Sequence, residues 1–69
     1  MKTNEKIFYQ HLIQELNFYQ NWYIDLIKSE TNTTNQNEYN KISMKRKSVT
    51  DTIEELQELI SIYKALFNL

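Results

Sequence analysis

Apolar side chains recur every three or four positions along residues 39–67, YNKISMKRKSVTDTIEELQELISIYKALF. The recurrence follows a heptad whose two core series contain Tyr39, Arg46, Ile53, Ile60 and Phe67 in the first and Ile42, Val49, Leu56 and Tyr63 in the second. This spacing is typical of a helix that packs lengthwise against another helix. Leu59 and Leu66 widen the apolar stripe, and Ile62 and Leu69 lie beyond it.

The heptad is interrupted at one point, where Arg46 occupies a core position. Just after it, residues 48–51 resemble a helix start, with Ser48 or Thr50 as the cap. Two interpretations follow: one long helix, or a short helix, a kink and a longer helix. Because no Pro or Gly forces a break, we predict one helix over about residues 38–67.

A first helix is predicted over about residues 4–28, with Thr3 as its N-cap and Glu5 in its first turn. Its apolar residues fall within about 100° of one another on a helical wheel and form a core stripe, which consists of Phe8, Tyr9, Leu12, Leu16, Tyr19, Tyr23, Leu26 and Ile27. The opposite side carries the uncharged amides Gln10, Gln14, Asn17 and Asn21. We expect Tyr19 and Tyr23 to lie inside the packed pair of helices.

Residues 29–37, SETNTTNQN, are polar throughout and form the predicted loop. Since the chain has no Gly, Asn32 or Asn35 is the best candidate for a left-handed residue that ends the first helix. Asn35 and Glu38 also have the spacing of a capping box for the second helix. These elements predict an all-α fold: a two-helix antiparallel hairpin that forms a single domain over residues 1–69.

The composition excludes several functional classes, because the 69 residues include no Gly, no Pro, no Cys and one His. Phosphate loops and dinucleotide fingerprints need Gly, and disulfides, thiol nucleophiles and cysteine zinc sites need Cys. His11 alone cannot form a multi-histidine metal site within one chain. Ser43, Ser48 and Thr50 have no His within helical reach. We therefore predict that the protein is not an enzyme and has no catalytic residues, cofactor or metal.

The net charge is −1, so no general electrostatic attraction directs the chain to nucleic acid or to an anionic membrane. The longest apolar runs have three residues, too few for a signal peptide or a membrane span. We therefore predict a cytoplasmic protein without a membrane partner. The bias toward Asn, Lys, Ile and Tyr is typical of AT-rich genomes and favours a small bacterial, phage or plasmid protein.

The first helix has more apolar surface than one neighbouring helix can cover. Ile13 and Ile24 lie on one flank of its core stripe, and Ile7, Phe18 and Trp22 lie on the other. Exposing five or more such side chains forfeits about 1.5–3 kcal/mol each. We therefore predict a homodimer, in which two hairpins form a four-helix bundle, with a foreign protein as the alternative occupant. The predicted interface residues are Ile7, His11, Phe18, Trp22, Ile62 and Leu66.

Charge is segregated along the second helix. Basic residues occur at Lys41, Lys45, Arg46 and Lys47, and acidic residues follow at Asp51, Glu54, Glu55 and Glu58. Two copies of this helix that cross antiparallel near Val49 would set each basic cluster against the acidic one of the other copy. Lys41, Lys45 and Lys47 are also the candidate contacts for a nucleic acid. The acidic residues share one side of the helix, which indicates a solvated face or a surface for a basic partner.

His11 and Glu15 are four residues apart, which predicts a hydrogen bond between them more readily than half of a metal site. Taken together, the sequence predicts a protein–protein interaction or regulatory module that binds another protein and modulates it, by inhibiting or adapting it. The alternative is a small dimeric nucleic-acid-binding protein that uses the basic cluster at 41–47.

Overall fold

The protein is described here by a computed structural model that covers residues 2–68, with side chains from residue 4 onward. Over this range the chain forms two helices and no strand: α1, Lys2–Asn32, and α2, Gln36–Phe67. The helices run antiparallel, since Glu30 contacts Arg46 at one end and Phe8 contacts Tyr63 at the other. The all-α two-helix hairpin is therefore confirmed. We call the end with the connecting loop the loop end and the other end the open end.

Both helices extend further into the polar segment than the sequence indicated, so the loop comprises only residues 33–35. The Thr31 hydroxyl donates a hydrogen bond to the Ile27 carbonyl oxygen, and the Thr33 amide donates to the Ser29 carbonyl oxygen. The amide bond satisfies the Ser29 carbonyl, one of the last four of the helix, and α1 extends beyond the predicted end at Lys28. The predicted N-cap, Thr3, lies inside α1, and its side chain is outside the described residues.

Asn35 begins α2 as its N-cap. Its side-chain oxygen accepts hydrogen bonds from the amides of Asn37 and Glu38, at 2.9 and 3.2 Å. The Glu38 carboxylate accepts from the Thr33 hydroxyl instead of reaching back to the Asn35 amide, so one half of the predicted capping box forms. Asn35 has an extended backbone, with φ −92° and ψ 121°, and neither it nor Asn32 is left-handed, contrary to the prediction.

The second helix is continuous over 32 residues, which confirms the prediction of one long helix. Neither of the two residues considered as internal caps begins a helix. The Thr50 hydroxyl donates to the Arg46 carbonyl oxygen four residues back, and Thr52 donates to the carbonyl oxygen of Ser48 in the same way. These bonds are compatible with an unbroken helix.

The core between the helices is small. In the described part of the chain only Leu12, Val49 and Leu56 are buried, while most other heptad positions are half-buried, Tyr19 and Tyr23 among them. Several side chains predicted for the core series and the apolar stripes are exposed instead, namely Phe8, Ile27, Tyr39, Leu59, Leu66 and Phe67. The reason is geometric, because a single neighbouring helix covers only the middle of each stripe.

The hairpin is a narrow rod, with extents of 51 × 14 × 12 Å and a radius of gyration of 15.6 Å. A compact domain of this length has a radius of gyration of about 11 Å. Over residues 2–68, neither helix combines the length and the apolar character that crossing a lipid bilayer requires.

Candidate interaction surface

One side of the hairpin carries a row of exposed apolar side chains from each helix. The row on α1 consists of Phe8, Phe18 and Trp22, and the row on α2 consists of Leu59, Ile62 and Leu66. Within each row the separations are three, four or seven residues, or sums of these numbers. Side chains at such separations lie on one side of a helix. We call these six residues the apolar face. Five of them are exposed, and Trp22 is half-buried.

Three aromatic side chains cluster in the middle of α1. The Phe18 ring lies 5.3 Å from the Tyr19 ring in an edge-on arrangement, and the Trp22 ring lies 6.0 Å from Tyr19, nearly parallel to it. The third distance, between Phe18 and Trp22, is 6.1 Å. Phe18 is 61% exposed despite these contacts. The three rings therefore pack against one another, and the cluster presents an aromatic surface to solvent.

A shallow groove lies next to this cluster, toward the loop end, and we call it the loop-end groove. Trp22 and Val49 line it, and the Lys45 ammonium lies 5.6 Å from the centre of the Trp22 ring, within range of a cation–π interaction. Met44 also lines the groove and is 74% exposed. The remaining lining residues are Tyr19, Lys41, Ser48 and Thr52.

The open end is also aromatic. Tyr63 contacts Phe8 and Phe67, with ring centres 5.3 and 4.5 Å apart. Leu66 is 72% exposed and borders a second groove together with Tyr9 and Phe67. This end of the molecule therefore holds apolar surface that the two helices of one chain do not cover.

Of the remaining predicted interface residues, Ile7 and His11 are exposed and border a shallow groove with Phe8 and Glu15. No hydrogen bond joins His11 to Glu15 between these fully described side chains, so that prediction is wrong. Both side chains are exposed, where water satisfies their polar atoms.

The basic residues do not form one patch. Lys41 and Lys45 line the loop-end groove with Ser48, whereas Lys47 is exposed and does not line it. Arg46 points to the other helix and pairs with Glu30. The acidic residues that follow the basic cluster on α2 are all exposed, as a solvated face requires, and comprise Asp51, Glu54, Glu55 and Glu58.

Sequence reasoning missed a polar cluster between the helices at the loop end. The Glu30 carboxylate accepts a hydrogen bond from the Ser43 hydroxyl and lies 3.1 Å from Nε of Arg46. The hydrogen bond from Ser43 and the pairing with Arg46 hold the pKa of Glu30 below its usual value. The same pairing raises the pKa of Arg46. A signal was present, since Arg46 interrupts a core series and Glu30 follows Tyr23 by one heptad on α1.

The opposite side of the hairpin is more polar. A groove there is lined by Gln20, Thr50, Glu54 and Gln57, with Ile24 as its exposed apolar residue. Ile27 is exposed as well, and Ile13 is half-buried. Of the large apolar residues that are exposed in the described chain, five therefore lie on the apolar face and two, Ile24 and Ile27, lie on this more polar side.

Within residues 2–68, no three His, Asp or Glu side chains come together in a way that could hold a metal ion. Comparison with protein families, with curated proteins and with solved structures finds no match for this chain.

Proposed function

We propose that the protein is a non-enzymatic interaction module that works as a homodimer, in which two hairpins join through their apolar faces into a four-helix bundle. The observation that carries the proposal is the imbalance between core and surface. Three apolar side chains are buried in the described chain, whereas eleven large ones are exposed, five of them on the apolar face. A core of this size is marginal for a domain of 69 residues.

The accessible surface supports the same proposal. The chain exposes 5567 Å². A compact protein of 8.4 kDa exposes about 4,600 Å². The difference is roughly 1,000 Å², which is close to the ~800 Å² that each partner buries in a standard interface. A second copy that covers the apolar face would bring the surface near the value for a compact protein.

The placement of the polar side chains favours binding over catalysis. His11 and Glu15 are exposed and not hydrogen-bonded to each other, and the acidic residues at 51, 54, 55 and 58 of α2 are also exposed. A general acid or base needs a desolvated setting that moves its pKa toward neutrality, and exposed helix faces do not provide one. In this proposal any regulatory effect on another protein, such as inhibition, is exerted by the dimer.

The test compares two substitutions of exposed apolar residues on opposite sides of α1. Phe18 lies on the apolar face, and Ile24, which is 49% exposed, lies on the polar side. We expect the wild-type chain to sediment as a dimer at high micromolar concentration, Phe18→Asp to sediment as a monomer, and Ile24→Asp to remain a dimer. A buried carboxylate in the interface is the physical reason for the difference.

Two results contradict the proposal. A wild-type chain that sediments as a monomer at high micromolar concentration excludes the homodimer. A wild-type dimer that Ile24→Asp dissociates and Phe18→Asp does not shows that the apolar face is not the interface. The wild-type measurement does not depend on whether either variant folds.

A further inference from the structure

The loop-end groove has the chemistry of a site for an apolar segment that carries carboxylates. Trp22 and Val49 supply apolar surface, and Met44 is exposed at its edge. Lys41 and Lys45 add two ammonium groups on the same side. An apolar surface flanked by cations is complementary to apolar side chains flanked by anions.

The chain itself contains such a segment, in the half of α2 toward the open end. Glu55, Glu58, Leu59 and Ile62 are all exposed. They are separated by three, one and three residues, so they lie on one side of the helix. The groove residues of α2 have the same separations and comprise Lys41, Met44, Lys45 and Ser48. The two sets therefore have the same spacing, and in an antiparallel arrangement Met44 meets Leu59 and Lys45 meets Glu58.

One chain cannot bring its own two sets together. Met44 and Leu59 are 15 residues apart on one continuous helix, which separates them by about 22 Å. A second copy of the chain is therefore the occupant that satisfies both sets at once.

We propose that the two hairpins of the dimer lie antiparallel, with the loop-end groove of each copy occupied by the acidic half of α2 from the other copy. This inference rests on the proposed homodimer and specifies which surfaces meet. The two α2 helices then cross between Asp51 and Thr52. The interface is isologous, so each contact between the copies occurs twice, related by a two-fold axis. The residues that face each other across the interface are Met44 with Leu59, Lys45 with Glu58, Ser48 with Glu55, and Lys41 with Ile62.

Cross-linking tests this arrangement directly, because the native chain contains no Cys. Met44→Cys and Leu59→Cys variants are mixed and treated with a short bismaleimide. We expect a cross-linked dimer in the mixture and none with Met44→Cys alone, since the two copies of residue 44 are then about 22 Å apart. Gln57→Cys is the matched control, since Gln57 lines the groove on the opposite side of the hairpin and should not cross-link to Met44→Cys.

Charge reversal provides an independent measurement. We expect Lys45→Glu and Glu58→Lys each to weaken dimer affinity by about tenfold at low salt, and the double variant to recover most of that loss. Recovery must come from contacts between copies, because Lys45 and Glu58 are 13 residues apart on one helix. The effect should shrink as salt is added.

The possible failures are distinguishable. A wild-type monomer overturns the homodimer and with it this arrangement. If the wild type is a dimer, three results overturn the arrangement alone. They are the absence of a cross-link between Met44→Cys and Leu59→Cys, a cross-link of Met44→Cys to itself, and a double charge reversal that does not restore dimer affinity.

Discussion

Arg46 occupies a core position in the heptad and is retained there by a specific partner. Its Nε lies 3.1 Å from the Glu30 carboxylate, which also accepts a hydrogen bond from Ser43. Arg46 is one-third exposed at the side chain, and Glu30 is less exposed. An apolar pair at such a site would pack in several registers, whereas an ion pair is satisfied in one. We therefore infer that this cluster fixes the register of α1 against α2.

The lowered pKa of Glu30 predicts a pH dependence of stability. Because the folded pKa lies below the ordinary value of 4.5, the contribution is fully present above that value and is lost as the pH falls through the folded pKa. We expect the urea midpoint of the wild type to fall more steeply below pH 4.5 than that of Glu30→Gln. Urea titrations monitored by circular dichroism between neutral and acidic pH measure this.

The matched control is Glu54→Gln, which changes an exposed carboxylate on the polar side of the hairpin. The urea midpoint of Glu54→Gln should fall below pH 4.5 as steeply as that of the wild type, whereas that of Glu30→Gln should fall less steeply. Parallel pH curves for the wild type and Glu30→Gln would show that Glu30 does not stabilise the folded state through its charge.

Among the elements, the heptad of α2 predicted a long helix. Apolar spacing that continues over 29 residues identifies a helix even where the signals for its first and last residues are weak. The ends were predicted less well. Neither of the two candidates for a left-handed residue at the end of α1 has that conformation, since Asn32 is the last residue of α1 and Asn35 is the N-cap of α2. Helix ends depend on the exact path of the backbone, which spacing does not give.

The cap at Asn35 is expected to stabilise α2 measurably. Asn35→Ala removes the acceptor for two backbone amides, and we expect it to lower the free energy of unfolding by about 1 kcal/mol. Asn37→Ala, an exposed position in the first turn of the same helix, should change it by less than about 0.5 kcal/mol. Urea denaturation of the three proteins under identical conditions provides the comparison, and equal effects of the two substitutions would contradict the role of the cap.

The sequence predicted the apolar face in part and did not predict the loop-end groove. Phe18 and Trp22 were identified because a hairpin leaves one flank of α1 uncovered, which follows from helical geometry. The loop-end groove was not identified, because it depends on how α1 lies against α2 and on the position of the Lys45 ammonium over the Trp22 ring. Spacing within one helix contains no information about that contact.

At the scale of the whole molecule, the rod shape links stability to association. A chain with a radius of gyration of 15.6 Å has a large surface for its small core. If the proposed dimer supplies the missing burial, unfolding must be coupled to dissociation. The stability of the protein is then a function of its concentration.

This coupling predicts a thermal midpoint that rises with protein concentration. For a hundredfold increase in concentration we expect the Tm to rise by about 5–10 °C. Melting curves recorded by circular dichroism at several concentrations measure the shift. Phe18→Asp, which is expected to remain monomeric, should melt at a Tm that does not change with concentration, and a constant Tm for the wild type would contradict the coupling.

The three-residue loop has a consequence for the order in which the hairpin folds. Glu30 and Arg46 are separated by 16 residues, whereas Phe8 and Tyr63 are separated by 55. The entropy lost on closing a segment grows with its length, so contacts near the loop form at the lowest entropic cost. Folding of each chain is therefore expected to nucleate at the Asn35 cap and the Glu30 cluster and to proceed toward the open end, where the last contacts form and the first ones break.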